Sequence, residues 1–402
     1  MSFTFSNKNN VFFIVVAAIS VFDLAIFFYL PLLSSIRQEL KANESLIQLS
    51  AATNVFGIGV SSIIYGTLSD SLGRRKLVLF GIACFSIASY SISFINSIYL
   101  LFILRFIQGL GAGVAWSIGN AILHDIYKGK KFEKAIITLH IIIGIMVAVS
   151  PALGGFIGNI IGWRKSFQFM AYSGALLFIY SLFFLPETLQ SLKTNVNLKT
   201  IINNYITLFK NTVYIRFLSI KVIMVSVAFV NITTLPLIFV ETHNSTIENC
   251  GLLMALGAFI FTIGGVINNK LVDYFEVNEI IKFSLYLVIL SSIVLFITQY
   301  LGILNAIGIQ LIKIPYLLGI SGIFGNATHK IVGAVPKLSG SASSIMITLE
   351  MFVSSIGVRL VSVFYNGTIY PMEIYAIAAA IISLFALSSK NIKLNGKNSC
   401  AI

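Results

Sequence analysis

A chain of 402 residues that is 57% hydrophobic and only 10% charged stands far from soluble proteins, in which about a quarter of residues are charged. Its net charge of +13 does not mark a nucleic-acid binder, because the bases are spread along the chain and no folded polar module gathers them. Three cysteines (84, 250 and 400) without paired spacing exclude a disulfide framework, and the scattered His124, His140, His243 and His329 offer no metal site.

The first apolar run, 11–33, is too long for a signal-peptide core and lacks a small-residue cleavage site, so it reads as a retained membrane helix. Windows of about 20 apolar residues, the length needed to cross a bilayer as helix, then recur at 47–68, 77–96, 98–121, 136–158, 166–185, 215–240, 250–270, 280–299, 302–325, 340–365 and 370–388. The expected fold class is an all-α integral membrane protein of twelve transmembrane helices in two six-helix bundles. The predicted boundaries are 1–189 for the first bundle, 190–213 for a cytoplasmic central linker, 214–389 for the second bundle and 390–402 for a cytoplasmic tail.

With the amino terminus inside, 19 of the 27 Lys and Arg residues fall in inward segments, four (Arg37, Lys41, Arg164 and Lys165) fall outside, and Arg105, Lys221, Lys313 and Arg359 fall within spans. This is the positive-inside bias, and it explains the basic charge without nucleic acid. It places both termini in the cytoplasm. An internal repeat agrees with a six-and-six division. Leu30, Pro31 and Leu32 are echoed 205 residues later by Leu235, Pro236 and Leu237, and Leu68 and Asp70 are echoed 203 residues later by Leu271 and Asp273.

The stretch GTLSDSLGRRK joins the second and third spans. In it Gly66, Leu68, Asp70, Gly73, Arg74 and Arg75 match the loop signature of the major facilitator superfamily, with Ser71 where an arginine is usual. LFILRFIQGLGAG in the fourth span supplies Arg105, Gln108 and Gly109 of a second motif. PALGG, with Pro151, Gly154 and Gly155, resembles the antiporter motif of the fifth span, with Ser150 where a glycine is usual. Within the superfamily the chain resembles the Bcr/CflA drug:proton antiporters, through YLP at 29–31, HDIY at 124–127, GWRKSF at 162–167, PETL at 186–189 and GSAS at 340–343. The resemblance implies that Asp70 faces the eleventh span and that Arg74 pairs with Asp125, a conformational latch formed with Gly66, Gly73 and Arg75. The competing reading is that the loop bases only obey the positive-inside rule. Glycines 109, 111 and 113 follow no strand and read as close-packing residues rather than a nucleotide loop.

A charge at the centre of a membrane helix costs roughly 2.5 to 3.5 kcal/mol, so each needs a partner or a task. Asp23 lies midway along the first span, one turn before the position at which the branch carries its acid, here Phe27. Arg105 lies at a similar depth on the fourth span, with Gln108 one turn along the same face. An Asp23 to Arg105 interaction is expected, with Asp23 as proton or substrate site or as a structural ion pair. In the second half a Lys313 to Glu350 pair is expected, structural or coupling, with Ser343, Ile347, Glu350, Ser354 and Gly357 on one face of the eleventh span.

No clustered nucleophile, base or metal set suggests an enzyme, and no P-loop suggests an ATPase. The expected function is secondary active transport, proton-coupled efflux of small amphipathic compounds by alternating access. The alternative is a proton-coupled importer or metabolite exchanger, and a multipass enzyme or receptor stands further off. The partners expected are a small-molecule substrate, protons and the lipid bilayer, with no cofactor and no required oligomer, in a bacterial inner membrane.

Overall fold

A computed structural model describes residues 5–189, 198–335 and 338–388, with a few side chains inside these ranges left aside. The whole predicted tail, 390–402, and residues 190–197 of the predicted linker lie outside the described residues.

The described chain is helical: α1 (Phe5–Asp23), α2 (Leu33–Glu39), α3 (Glu44–Leu72), α4 (Arg74–Ile92), α5 (Ile98–Ile126), α6 (Lys130–Phe184), α7 (Leu198–Lys210), α8 (Thr212–Leu237), α9 (Ile247–Leu271), α10 (Val277–Tyr300), α11 (Ala306–Ile312), α12 (Ile314–Gly333), α13 (Ser339–Phe364) and α14 (Tyr370–Ser388). Ten helices are long and apolar enough to cross a membrane among the described residues, and eleven when α11 and α12, bent by 45°, count as one. One of the ten, α6, has 55 residues and a break at Gly162 (φ 78°, ψ 164°). At 1.5 Å per residue its length is about 80 Å, more than twice a hydrocarbon core of about 30 Å.

Two helices depart from α geometry at the internal repeat. A π turn, Leu24–Phe28, and a 3-10 turn, Leu30–Leu32, separate α1 from α2, so that Pro31 needs no helical N–H partner. The echoing Leu235–Pro236–Leu237 closes α8 and runs into a second π turn, Ile238–Thr242. Beyond Gly162, Trp163 and Arg164 both reach Glu39, through Nε1 at 2.5 Å and Nε at 2.9 Å, and Arg164 also donates to the Ile95 carbonyl at 2.7 Å. The GWRKSF stretch thereby ties the α6 break to the ends of α2 and α4.

Part of the interval read as a polar linker folds as α7. Tyr205 and Leu208 pack against the second half, and Ile206 and Phe209 stay exposed. The helical spacing of Tyr205 and Leu208 is the signal, diluted by the surrounding Asn, Thr and Lys.

One buried apolar cluster gathers residues from Val11 to Leu185, with Leu237 as its single member from beyond. A second runs from Leu208 to Ala380. Within the first half α3 and α4 pack along α5, with Gly109 facing Asn54 of α3 and Gly111 facing Gly81 of α4, as packing glycines do. Within the second half α12 packs between α8, α9 and α10. Two seams join the halves, α3 against α13 and α6 against α9.

Candidate functional site

A cavity of about 10 Å³ lies where the halves meet, lined by Ile26 and Leu30 of the first crossing, Asn54 of α3, Arg105 of α5 and Phe229 and Thr233 of α8. A second small space shares Ala51, Val55, Phe229 and Thr233 with it and reaches Ser354 and Ser355 of α13.

Arg105 is 1% exposed and is held by neutral acceptors. Its Nη1 donates to the Ala25 carbonyl at 2.8 Å and to Gln108 Oε1 at 2.6 Å, and its guanidinium stacks 4.0 Å above the Tyr29 ring. Gln108 Nε2 donates to Ser89 at 2.7 Å, and Asn54 Nδ2 to the Arg105 carbonyl at 3.1 Å. The expected Asp23 to Arg105 contact is not formed. Ala25 and Tyr29, four residues apart, face Arg105, whereas Asp23 stands two residues before Ala25, roughly 200° round the helix. Asp23 is 0% exposed at the edge of the π turn, and neither carboxylate oxygen has a hydrogen-bond partner among the described residues.

The second half also corrects the sequence reading. Lys313 does not meet Glu350. Its Nζ lies 2.8 Å from Glu373 Oε1, donates to Asn231 Oδ1 and sits 4.3 Å from the Tyr316 ring. Glu350 instead takes Lys221, Nζ to Oε1 at 3.1 Å, and Lys221 also donates to Thr328 at 2.5 Å. Depth explains the exchange. Lys313 sits at the α11–α12 bend, about 30 Å of helical rise from the end of α12, whereas Glu350 is about 16 Å into α13 from the same face and Lys221 about 14 Å into α8. Lys221 and Glu373 are members of these clusters that sequence reasoning left without a role. Glu373, a first-turn acid in the last helix, could have been matched to Lys313 by counting from the opposite face.

At the α3–α4 turn, Gly73 has φ 89°, a conformation that favours glycine. Arg74 Nε lies 2.9 Å from Asp125 Oδ2, and Arg75 donates to the Leu182 carbonyl at 2.7 Å. Glu187, from the PETL stretch, accepts the first two amides of α4, from Arg74 at 3.0 Å and Arg75 at 3.2 Å, where the helix dipole favours an anion. Thr188 completes the group by donating to Asp125 at 3.1 Å. Gly66 faces Ser344 of α13. The side chain of Asp70 lies outside the described residues.

At the opposite face, polar contacts cross between the halves: Arg37 to Glu241 at 2.7 Å, Asn159 to Glu248 at 2.8 Å and Ser45 to Ser362 at 3.2 Å. Below them the PALGG glycines touch both halves. A Cβ at Gly154 would stand 1.8 Å from the Phe28 carbonyl oxygen of the π turn, and one at Gly155 would stand 2.7 Å from the Ile247 carbonyl oxygen of α9.

The sequence model of the Major Facilitator Superfamily matches residues 14–358. The chain belongs to that superfamily. As a superfamily member it is a multi-pass membrane transporter of small molecules and not an enzyme. Among its relatives are a bicyclomycin resistance protein homolog of Haemophilus influenzae, 21% identical over 92% of this chain and 93% of that one, and the multidrug resistance protein MdtL of Escherichia coli, 27% identical over the same shares. Superfamily folds of known structure superpose over nearly the whole chain. The xylose transporter XylE of E. coli, in a partially occluded inward-open conformation, gives a TM-score of 0.74 at 13% identity over 98% of this chain and all of that one. An inward-facing bacterial homolog of the lysosomal transporter Spinster gives 0.75 at 11% identity over 96% of each chain.

Proposed function

We propose that this transporter is a proton-coupled exporter of small amphipathic compounds that works by alternating access, with Asp23 as its proton-carrying group. The observation that carries this reading is the buried Asp23 carboxyl, unpartnered among the described residues and set against a π turn beside the cavity. Such turns recur at functional sites, and a lone carboxyl in a membrane needs a task. Relatives named for bicyclomycin and multidrug resistance support the direction and the cargo class.

Splitting α6 at Gly162 gives twelve crossings, six in 1–189 and six in 214–389. The basic segments then face the cytoplasm of an inner membrane together with both termini. Arg105 and Gln108 hold the π turn against the cavity, and the Lys221–Glu350 and Lys313–Glu373 pairs brace the second half. The Gly66, Asp70, Gly73, Arg74, Arg75 and Asp125 group latches the cavity in one of its two orientations. Proton and cargo each favour one orientation and so drive exchange through their differential affinities. A single copy suffices, since both halves of the cavity come from one chain.

The test uses inverted vesicles with an imposed proton gradient, with compound movement and proton release both recorded. Accumulation with proton counterflow, lost in Asp23→Asn and retained in Glu350→Gln, is the expected result. Movement of compound and protons in the same direction would make the protein an importer, and unchanged coupling in Asp23→Asn would remove that residue from the role.

A further inference from the structure

We infer that the compound accepted by the central cavity presents an oxygen acceptor beside an N–H or O–H donor on an apolar frame and carries no positive charge. The inference rests on the reading of this cavity as the transport site.

Three observations carry it. Arg105 is the one charged residue lining either part of the cavity among the described residues, and no carboxylate lines it. Its partners among the described residues, the Ala25 and Ser50 carbonyls, Gln108 and the Tyr29 ring, are all neutral, so its positive charge is not balanced locally. Asn54 is fully buried, and its amide orientation is fixed by the bond from Nδ2 to the Arg105 carbonyl, which leaves Oδ1 as an acceptor without a donor among the described residues. Ser354 is also fully buried, and its hydroxyl has no partner among the described residues where the second space meets α13.

Buried polar atoms without partners discriminate between ligands, because a compound that completes them is favoured over one that leaves them unpaired. Arg105 calls for an oxygen acceptor and Asn54 for a donor, a pairing that an amide or N-acyl group supplies. Ile26, Leu30, Val55 and Phe229 call for an apolar remainder. A cation here would meet the Arg105 charge at short range in a low dielectric, with no acid to offset it. Asp23 is not a lining residue and provides no such offset. At about 10 Å³ the cavity has room for about one water, so a compound reaches Arg105 and Asn54 only after the halves part.

The test is thermal stabilisation of the purified full chain by three probes on one frame: N-acetylphenylalanine amide, N-acetylphenylalanine and phenylalanine amide, which are neutral, anionic and cationic. The first two are expected to raise the unfolding temperature and the cation to leave it unchanged. Asn54→Asp, which places a carboxylate in the cavity, is expected to shift the preference toward the cation by at least tenfold in apparent affinity. Ser354→Ala, away from the Arg105 network, is expected to weaken the neutral amide several-fold and decides the matter if Asn54→Asp does not fold. Stabilisation by the cation as strong as by the amide, no stabilisation by any probe, or unchanged binding in Ser354→Ala would overturn the inference. Binding without proton exchange in vesicles would instead sink the coupled-export reading and leave this one standing.

Discussion

Arg37, two residues before the end of α2, donates from Nε to Glu241 Oε1 at 2.7 Å and thereby joins the first crossing of one half to the π turn that ends the first crossing of the other. The two residues are 204 positions apart, and Glu44 adds a second acid 3.6 Å from the same guanidinium. Any opening of the cavity toward this face has to separate the pair.

Glu241→Gln should therefore favour the form that is open toward the Arg37 face. The pair is partly exposed, so its contribution is about 0.2–1 kcal/mol, or roughly 1.4- to 5-fold in the ratio of states. The measurement is labelling of Thr233→Cys by an impermeant thiol reagent from the Arg37 face, after replacement of the three native cysteines. A faster rate is expected, and an unchanged rate would show that the remaining cross-half contacts hold the face closed without this pair.

Lys313 and Glu373 are 1% and 0% exposed at their side chains, and removing one leaves the other buried without its counter-charge. Lys313→Met or Glu373→Gln alone should destabilise the protein by about 3–5 kcal/mol, whereas Lys313→Met with Glu373→Met should recover most of the loss. Thermal unfolding of the purified variants reports the difference, and equal losses in the single and double variants would mean that the pair does not act as a unit.

The Arg74–Asp125 contact predicts non-additivity of another kind. Arg74→Ala and Asp125→Asn should each change the balance of cavity orientations, and the double variant should do no more than either single one, with a coupling of about 0.5–3 kcal/mol. Accessibility labelling on the two faces measures the balance. Strictly additive shifts would return the loop bases to a role in topology alone.

Gly154→Ala should abolish transport, because its new methyl group would lie 1.8 Å from a backbone oxygen that cannot move aside. Gly144→Ala in the same helix, with nothing within 4 Å of the added atom, should leave transport intact. Uptake by inverted vesicles at matched expression distinguishes them.

The transporter fold was legible because spans, loop bases and the GTLSDSLGRRK motif are local signals. The contact between Arg74 and Asp125 also follows from motif positions, and it is present at 2.9 Å. The partners of the buried charges were not legible in this way. Asp23 to Arg105 failed because depth was matched without the angle round the helix, and Lys313 to Glu350 failed because the bend at Lys313 and the early position of Glu373 bring both toward the same face. Ser354 stood out only as part of a small, polar face of the eleventh span, and Asn54 escaped notice, since a lone amide in an apolar run carries no pattern until packing leaves its oxygen without a partner.

Gly154 and Gly155 give α6 the character of a bearing seated on two journals. One glycine rides on the carbonyl of the Leu24–Phe28 turn and the next on the backbone of α9, so a change of pitch in that turn reaches the seam between the halves within two residues. Since Asp23 borders the same turn, the proposed proton carrier and the seam between the halves are mechanically adjacent. Gearing of that kind needs no long relay through the protein, only backbones close enough that neither can slip without turning the other.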